Sequence, residues 1–195
     1  MPSQPAEPLP RPVPRLERQI DGLSFSEWPG RRGPLVCLVD PLGGLPGLAE
    51  AIAADRAPDW RVFELPLPGA VPYQAQAAEV TRLLDTFGFE HSVLLGSGLA
   101  ASLGVVVGAW YPARLDGLVV VNFHPDLTRA RRLRLATRAA DEPAFRAWLD
   151  APPRWARLES QLTCPVLRLR ARTVRRVVEA TRSFLDSRVQ SDPCC

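Results

Sequence analysis

The stretch Ser92-Val93-Leu94-Leu95-Gly96-Ser97-Gly98-Leu99-Ala100-Ala101 holds the residue types and spacing of a nucleophile turn. In the G-x-S-x-G pattern a buried strand ends in a sharp, strained turn. The turn lifts the central serine clear of the sheet, and a helix starts at once. Such a serine, served by a histidine base and an orienting carboxylate, attacks acyl carbon while backbone N–H groups hold the oxyanion. Here the apolar run Val93 to Leu95 reads as the strand and Leu99 to Tyr111 as the helix. Gly96, Ala100 and Ala101 take the close-packing positions. The central position is Gly98, which has no side chain to attack with. Ser97, just before it, and Ser102, one helical turn later, are weak surrogates, and neither belongs at the exposed centre of the turn.

The chain has two histidines. His91 precedes the strand and reads as exposed. His124, in Asn122-Phe123-His124-Pro125-Asp126, leaves the next strand at its carboxyl end, where it could meet a ligand or pair with Asp126; a hydrogen-bonded structural role is the plainer reading. The loop Gly43-Gly44-Leu45-Pro46-Gly47 is glycine-rich but lacks dinucleotide or phosphate-loop spacing, so it reads as a tight turn into a helix. Cys37 and Cys164 lie in or beside apolar strands, and Cys194 and Cys195 end the chain. That is neither a metal-ligand spacing nor a disulfide framework, so no metal or cofactor is expected and a reducing cytoplasm fits. The terminal Cys pair resembles the prenylated ending of vesicle-traffic GTPases, but nothing else in the chain does.

These residues need elements to position them. At 195 residues and 46% hydrophobic the chain can bury a single-domain core. Residues 1–17, with Pro2, Pro5, Pro8, Pro10, Pro12 and Pro14, read as a proline-rich flexible arm. Over residues 18–190 strands alternate with helices: Leu23 to Trp28, Leu35 to Val39, Arg61 to Leu65, Val93 to Leu95 and Leu118 to Val121 as strands, with helices at Leu45 to Ala54, Gln74 to Phe87 and Leu99 to Tyr111. Such units imply a mostly parallel sheet with helices on both faces. Residues 125–160 break the rhythm as two helical segments around Asp141-Glu142-Pro143, a small helical cap over the carboxyl ends of the strands. In the last strand, Val166 to Ala171, Arg168 and Arg170 alternate with apolar positions, which marks a half-exposed strand at or near a sheet edge. The helix Val174 to Leu185 follows, and residues 191–195 are a flexible tail.

All 24 basic residues are Arg, and the net charge of +3 hides an asymmetry. Residues 1–100 carry 8 Arg against 12 acids, a balance of −4, and residues 101–195 carry 16 against 9, a balance of +7. The Arg cluster at 129–138 reads as a solvated face, with contact to anionic lipid as the lesser alternative, and no nucleic acid is expected. No secretory signal is seen in the first twenty residues, and no run is long enough to cross a bilayer.

Residues 20–185 resemble an α/β-hydrolase. The segments that carry the likeness are Phe87 to Gly96, the turn itself, Tyr111-Pro112-Ala113-Arg114-Leu115-Asp116-Gly117-Leu118 into its strand, and Leu162-Thr163-Cys164-Pro165-Val166-Leu167. Within that superfamily the chain is similar to the N-myc downstream-regulated (NDRG) family, which is regarded as non-catalytic: Phe87-Gly88-Phe89, the serine-free turn, and Val177-Val178-Glu179 before Leu185-Asp186 point there. The cap is much shorter than in that family, and the chain ends earlier. The resemblance implies a three-layer, shortened α/β-hydrolase-like fold. It also implies a base on a loop after the final strand, where no His follows, and an oxyanion loop of His-Gly type, where Asp40-Pro41 stands. Pro41 lacks an N–H, and Asp40 would put negative charge beside an oxyanion.

The expected function is that of a catalytically inactive hydrolase-fold protein acting as a cytoplasmic binding or regulatory factor, with protein partners engaged through the cap or the proline-rich arm. The alternatives are an enzyme of non-serine mechanism, a lyase or weak hydrolase using His124 and Asp126, and a truncated hydrolase-like gene product.

Overall fold

The structure is a computed structural model that describes residues 14–20, 22–39, 45–57, 59–66, 73–123 and 154–189. Its strands are β1 (Leu16–Ile20), β2 (Leu23–Trp28), β3 (Arg32–Val39), β4 (Trp60–Pro66), β5 (Ser92–Ser97), β6 (Leu115–Val121) and β7 (Val166–Leu169). Its helices are α1 (Leu48–Arg56), α2 (Tyr73–Thr86), α3 (Leu99–Trp110), α4 (Trp155–Ser160) and α5 (Val174–Val189). The seven strands form one sheet in the order β1-β2-β4-β3-β5-β6-β7. β3 to β7 run parallel, while the β1–β2 hairpin is antiparallel and joins antiparallel to β4.

Strand alternation sends two sets of side chains to two helical layers. Val36, Leu38, Phe63, Leu65, Leu94, Leu118 and Val120 share one core with Ala77, Val80, Leu83 and Leu84 of α2, with α3, and with Trp155 and Leu158 of α4. Leu35, Cys37, Val62, Val93, Leu95, Val119 and Val121 share the other with Leu48, Ala49, Ile52 and Ala53 of α1 and Val177 and Leu185 of α5. Helices on both faces of a mostly parallel sheet are what the continuous apolar runs imply. Arg56 with Asp186 and Arg182 with Asp55 tie α1 to α5 across that second layer.

Several bounds differ from the sequence expectation: β3 and β6 start three residues earlier, at Arg32 and Leu115, α1 starts three residues later, at Leu48, and the marginal strands β1 and β7 depart as well. β1 begins at Leu16, inside the stretch read as flexible arm: Glu17, Arg18 and Gln19 are exposed, so no apolar run announces it, and its register with β2 holds it in place. β7 ends at Leu169, two residues early. Among the described residues β7 pairs only with β6 and is half-exposed, the edge position its alternating arginines suggested. Of the segment expected to form the cap, α4 lies within the described residues and packs Trp155 edge-on against Tyr73 and Phe123. Residues 124–153 lie outside them, as do residues 1–13 and 190–195.

The Phe87-Gly88-Phe89 segment has a packing role. The Arg61 guanidinium lies 4.8 to 5.2 Å from the ring centres of Phe63, Phe87 and Phe89. Its Nε donates to the buried Glu27 carboxylate at 2.7 Å, and Arg18 donates to the same group at 3.2 Å. The charge is thus paired and covered by aromatic faces, conditions under which an ion pair is tolerated in a core.

Candidate functional site

The turn after β5 has the geometry the spacing implied. β5 ends at Ser97, α3 starts at Leu99, and Gly98 between them has φ 64° and ψ −118°. That positive φ is strained for any residue with a Cβ. The Gly98 N–H donates to the carbonyl of Val121 at 2.9 Å, which pins the turn to the end of β6. Two positions earlier, a Cβ on Gly96 would lie 2.5 Å from the backbone carbon and oxygen of Ala100. The strand and helix therefore touch backbone to backbone, which is why the pattern needs glycine there. Position 98 presents no reactive group.

Neither surrogate serine replaces it. Alternation along β5 puts Ser97 on the same face as Val93 and Leu95, toward α1, and it is 5% exposed. Ser102 is buried within α3. His91 is exposed, 3.9 Å from both Asp116 and Glu90. It stands at the opposite end of the six-residue β5 from Gly98, about 20 Å away at strand rise. His124 and Asp126 lie outside the described residues, as do Asp40, Pro41, Gly43 and Gly44. No triad geometry is assembled among the described residues, and no group of three His, Cys, Asp or Glu there lies close enough together to hold a metal.

Asn122, at the exit of β6, is a residue whose role the sequence did not signal. It is the one non-glycine with positive φ (53°) among the described residues. Its Nδ2 donates to the carbonyl of Ala171 at 2.7 Å, its Oδ1 accepts from the Ala171 N–H at 3.0 Å, and its own N–H donates to Leu169 at 2.9 Å. Asn tolerates this conformation, and its amide acts as a clamp between the ends of β6 and β7.

The described residues also line a partly open cavity of about 400 Å³ between the first turn of α1 and the carboxyl ends of β3, β4 and β5. Its floor follows the sheet register: Glu64 pairs with Cys37, and Cys37 with Leu95. Ser97 lines it one step further along β5, and Arg15 reaches it from the start of the hairpin. Burial, reinforced by the Glu64 carboxylate, pushes the Cys37 thiol far above its ordinary value of 9.0, so the sulfur is a neutral thiol. The cavity's one legible signal was Glu64, which with Arg61 puts charge among the apolar residues of β4.

No protein-family model and no curated protein sequence matches the chain. Solved structures do resemble it. An α/β-hydrolase enzyme from the metagenome of lagoon sediments of Mar Chica, Morocco, superposes with a TM-score of 0.58 at 15% identity, covering 91% of this chain and 97% of that one. A proposed epoxide hydrolase from Pseudomonas aeruginosa gives 0.63 at 14% identity, over 95% and 99% of the two chains. A structure from work on carboxylesterases of the thaumarchaeon Nitrososphaera gargenis gives 0.58 at 14%, over 91% and 100%. At such identities the likeness concerns architecture, and it extends over at least 91% of this chain in each case. The chain has a shortened α/β-hydrolase-like fold, with glycine where that fold's turn would carry a nucleophile.

Proposed function

We propose that this α/β-hydrolase-fold protein is non-catalytic and acts by binding, as a regulatory factor of the N-myc downstream-regulated type working in the cytoplasm. One observation carries the reading: the turn after β5 keeps its strained backbone at Gly98 while presenting no nucleophile. Removing a nucleophile from a hydrolytic site leaves only weak residual catalysis from binding and oxyanion donors. The serines beside the turn are buried, and the described histidine is a strand length away. A fold whose chemistry is missing can still present loops and cavities to a ligand, because function resides in sites carried on the fold. Protein partners engaged through residues 125–160 or the proline-rich arm belong to this proposal.

The test is direct. A fluorophosphonate probe and a panel of short-chain p-nitrophenyl esters are applied to the full chain. The expected result is no covalent labelling and no turnover above buffer. Labelling at Ser97 or Ser102 that disappears on Ser97→Ala or Ser102→Ala would overturn the proposal.

A further inference from the structure

We propose that the cavity between α1 and the carboxyl ends of β3, β4 and β5 is a binding site for a small alkylammonium compound, whose charged head is taken by Glu64 and whose hydrocarbon lies along Val39, Leu45, Leu48 and Leu95. The inference rests on the non-catalytic reading above and gives that binding role a place and a chemistry. At about 400 Å³ the cavity is of small-molecule size. Its wall combines apolar side chains with a few convergent polar groups, the usual make-up of a ligand pocket.

The polar groups are incompletely satisfied. Ser97 is 5% exposed, lines the cavity, and makes no side-chain hydrogen bond among the described residues. The Glu64 side chain is 24% exposed, and among the described residues its one ion pair is with Arg15 at 3.6 Å, beyond hydrogen-bond length. Arg15 is engaged elsewhere: its Nε lies 2.7 Å from Glu17, and its Nη2 donates to Ser26 at 2.8 Å. A half-buried carboxylate without a close donor is costly, and a bound donor that completes its hydrogen bonds removes that cost.

Charge decides the sign of the ligand. Glu64 and Glu50 both line the cavity, against Arg15 as the lining cation, and Arg15 is largely neutralised by Glu17. An anion would meet two carboxylates, whereas an ammonium group would find two acceptors and the Ser97 hydroxyl. The neutral Cys37 thiol adds a soft, uncharged patch to the floor beside Glu64. Alkyl substituents suit the rest of the wall, which is mostly apolar.

The experiment titrates n-butylammonium into the ¹⁵N-labelled full chain and follows amide shifts, with butyrate and 1-butanol as probes of equal chain length. The expected result is saturable shifts confined to residues 37–39, 45–50, 64 and 95–97, no saturable response to butyrate, and weaker binding of butanol. Glu64→Gln should weaken n-butylammonium binding about tenfold, or about 1.4 kcal/mol. Absence of saturable shifts, an equal response to butyrate, or binding by folded Glu64→Gln within twofold of wild type would each overturn the proposal. Should Glu64→Gln fail to fold, the wild-type comparison with butyrate decides. A negative titration removes this site and leaves the inert turn standing, whereas hydrolysis of the ester panel removes the non-catalytic reading itself.

Discussion

Gly96 and Gly98 stand two residues apart on one turn, yet they are glycines for different reasons. Gly96 is required by space, since its Cβ would press on the Ala100 backbone at 2.5 Å. Gly98 is favoured by conformation, because its φ of 64° strains any side chain. Gly98→Ser should therefore lower stability by about 1–2 kcal/mol, whereas Gly96→Ala should cost about 3 kcal/mol or more. Urea denaturation of the two variants checks the order. Gly98→Ser should also show no esterase activity, because a serine there would stand without an assembled base; measurable turnover would reveal one. The motif was readable because its spacing reflects this backbone contact. The state of Cys37 was only partly readable: burial in an apolar strand, its main cause, is local, but the reinforcing Glu64 carboxylate lies 27 positions away in the chain.

At the scale of elements, strands buried on both faces were legible and strands at the margins were less so. Leu35 to Val39, Val93 to Leu95 and Leu118 to Val121 are continuous apolar runs, and each is a central strand here. β1 has no such run because one neighbour and a largely exposed surface are all it needs to satisfy, so its pairing is set by the hairpin with β2. The clamp at Asn122 was illegible for another reason: both its partners are backbone atoms of Ala171, 49 positions away. Backbone recognition leaves no mark on the partner's residue type. Asn122→Ala should cost about 1–3 kcal/mol, from two lost hydrogen bonds and a positive φ that Ala tolerates poorly. Asn122→Gly, relieved of the backbone strain, should recover part of the loss. Thermal unfolding of the pair separates the two contributions, and equal destabilisation would show that the conformation contributes nothing.

Across the whole molecule, the layered architecture followed from the order of apolar runs, and the relation to solved hydrolase structures bears on that architecture alone. The candidate turn was visible as a local pattern. The cavity was not, because it is assembled from the hairpin start, three strand ends and a helix start, which no window of sequence contains. Along the register from β2 through β4 and β3 to β5, side chains pass from Ser26 and Glu64 through Cys37 to Leu95, so apolar burial deepens toward the middle of the sheet. β7 at the opposite margin is four residues long and half-exposed. Elements with few buried apolar contacts open with the least free energy. In native-state hydrogen exchange, amides of β1 and β7 should exchange through local fraying, while those of Leu35, Val36, Leu94 and Leu95 should exchange only when the whole molecule unfolds. A uniform exchange rate from one margin to the other would instead mean that the sheet opens as a single unit.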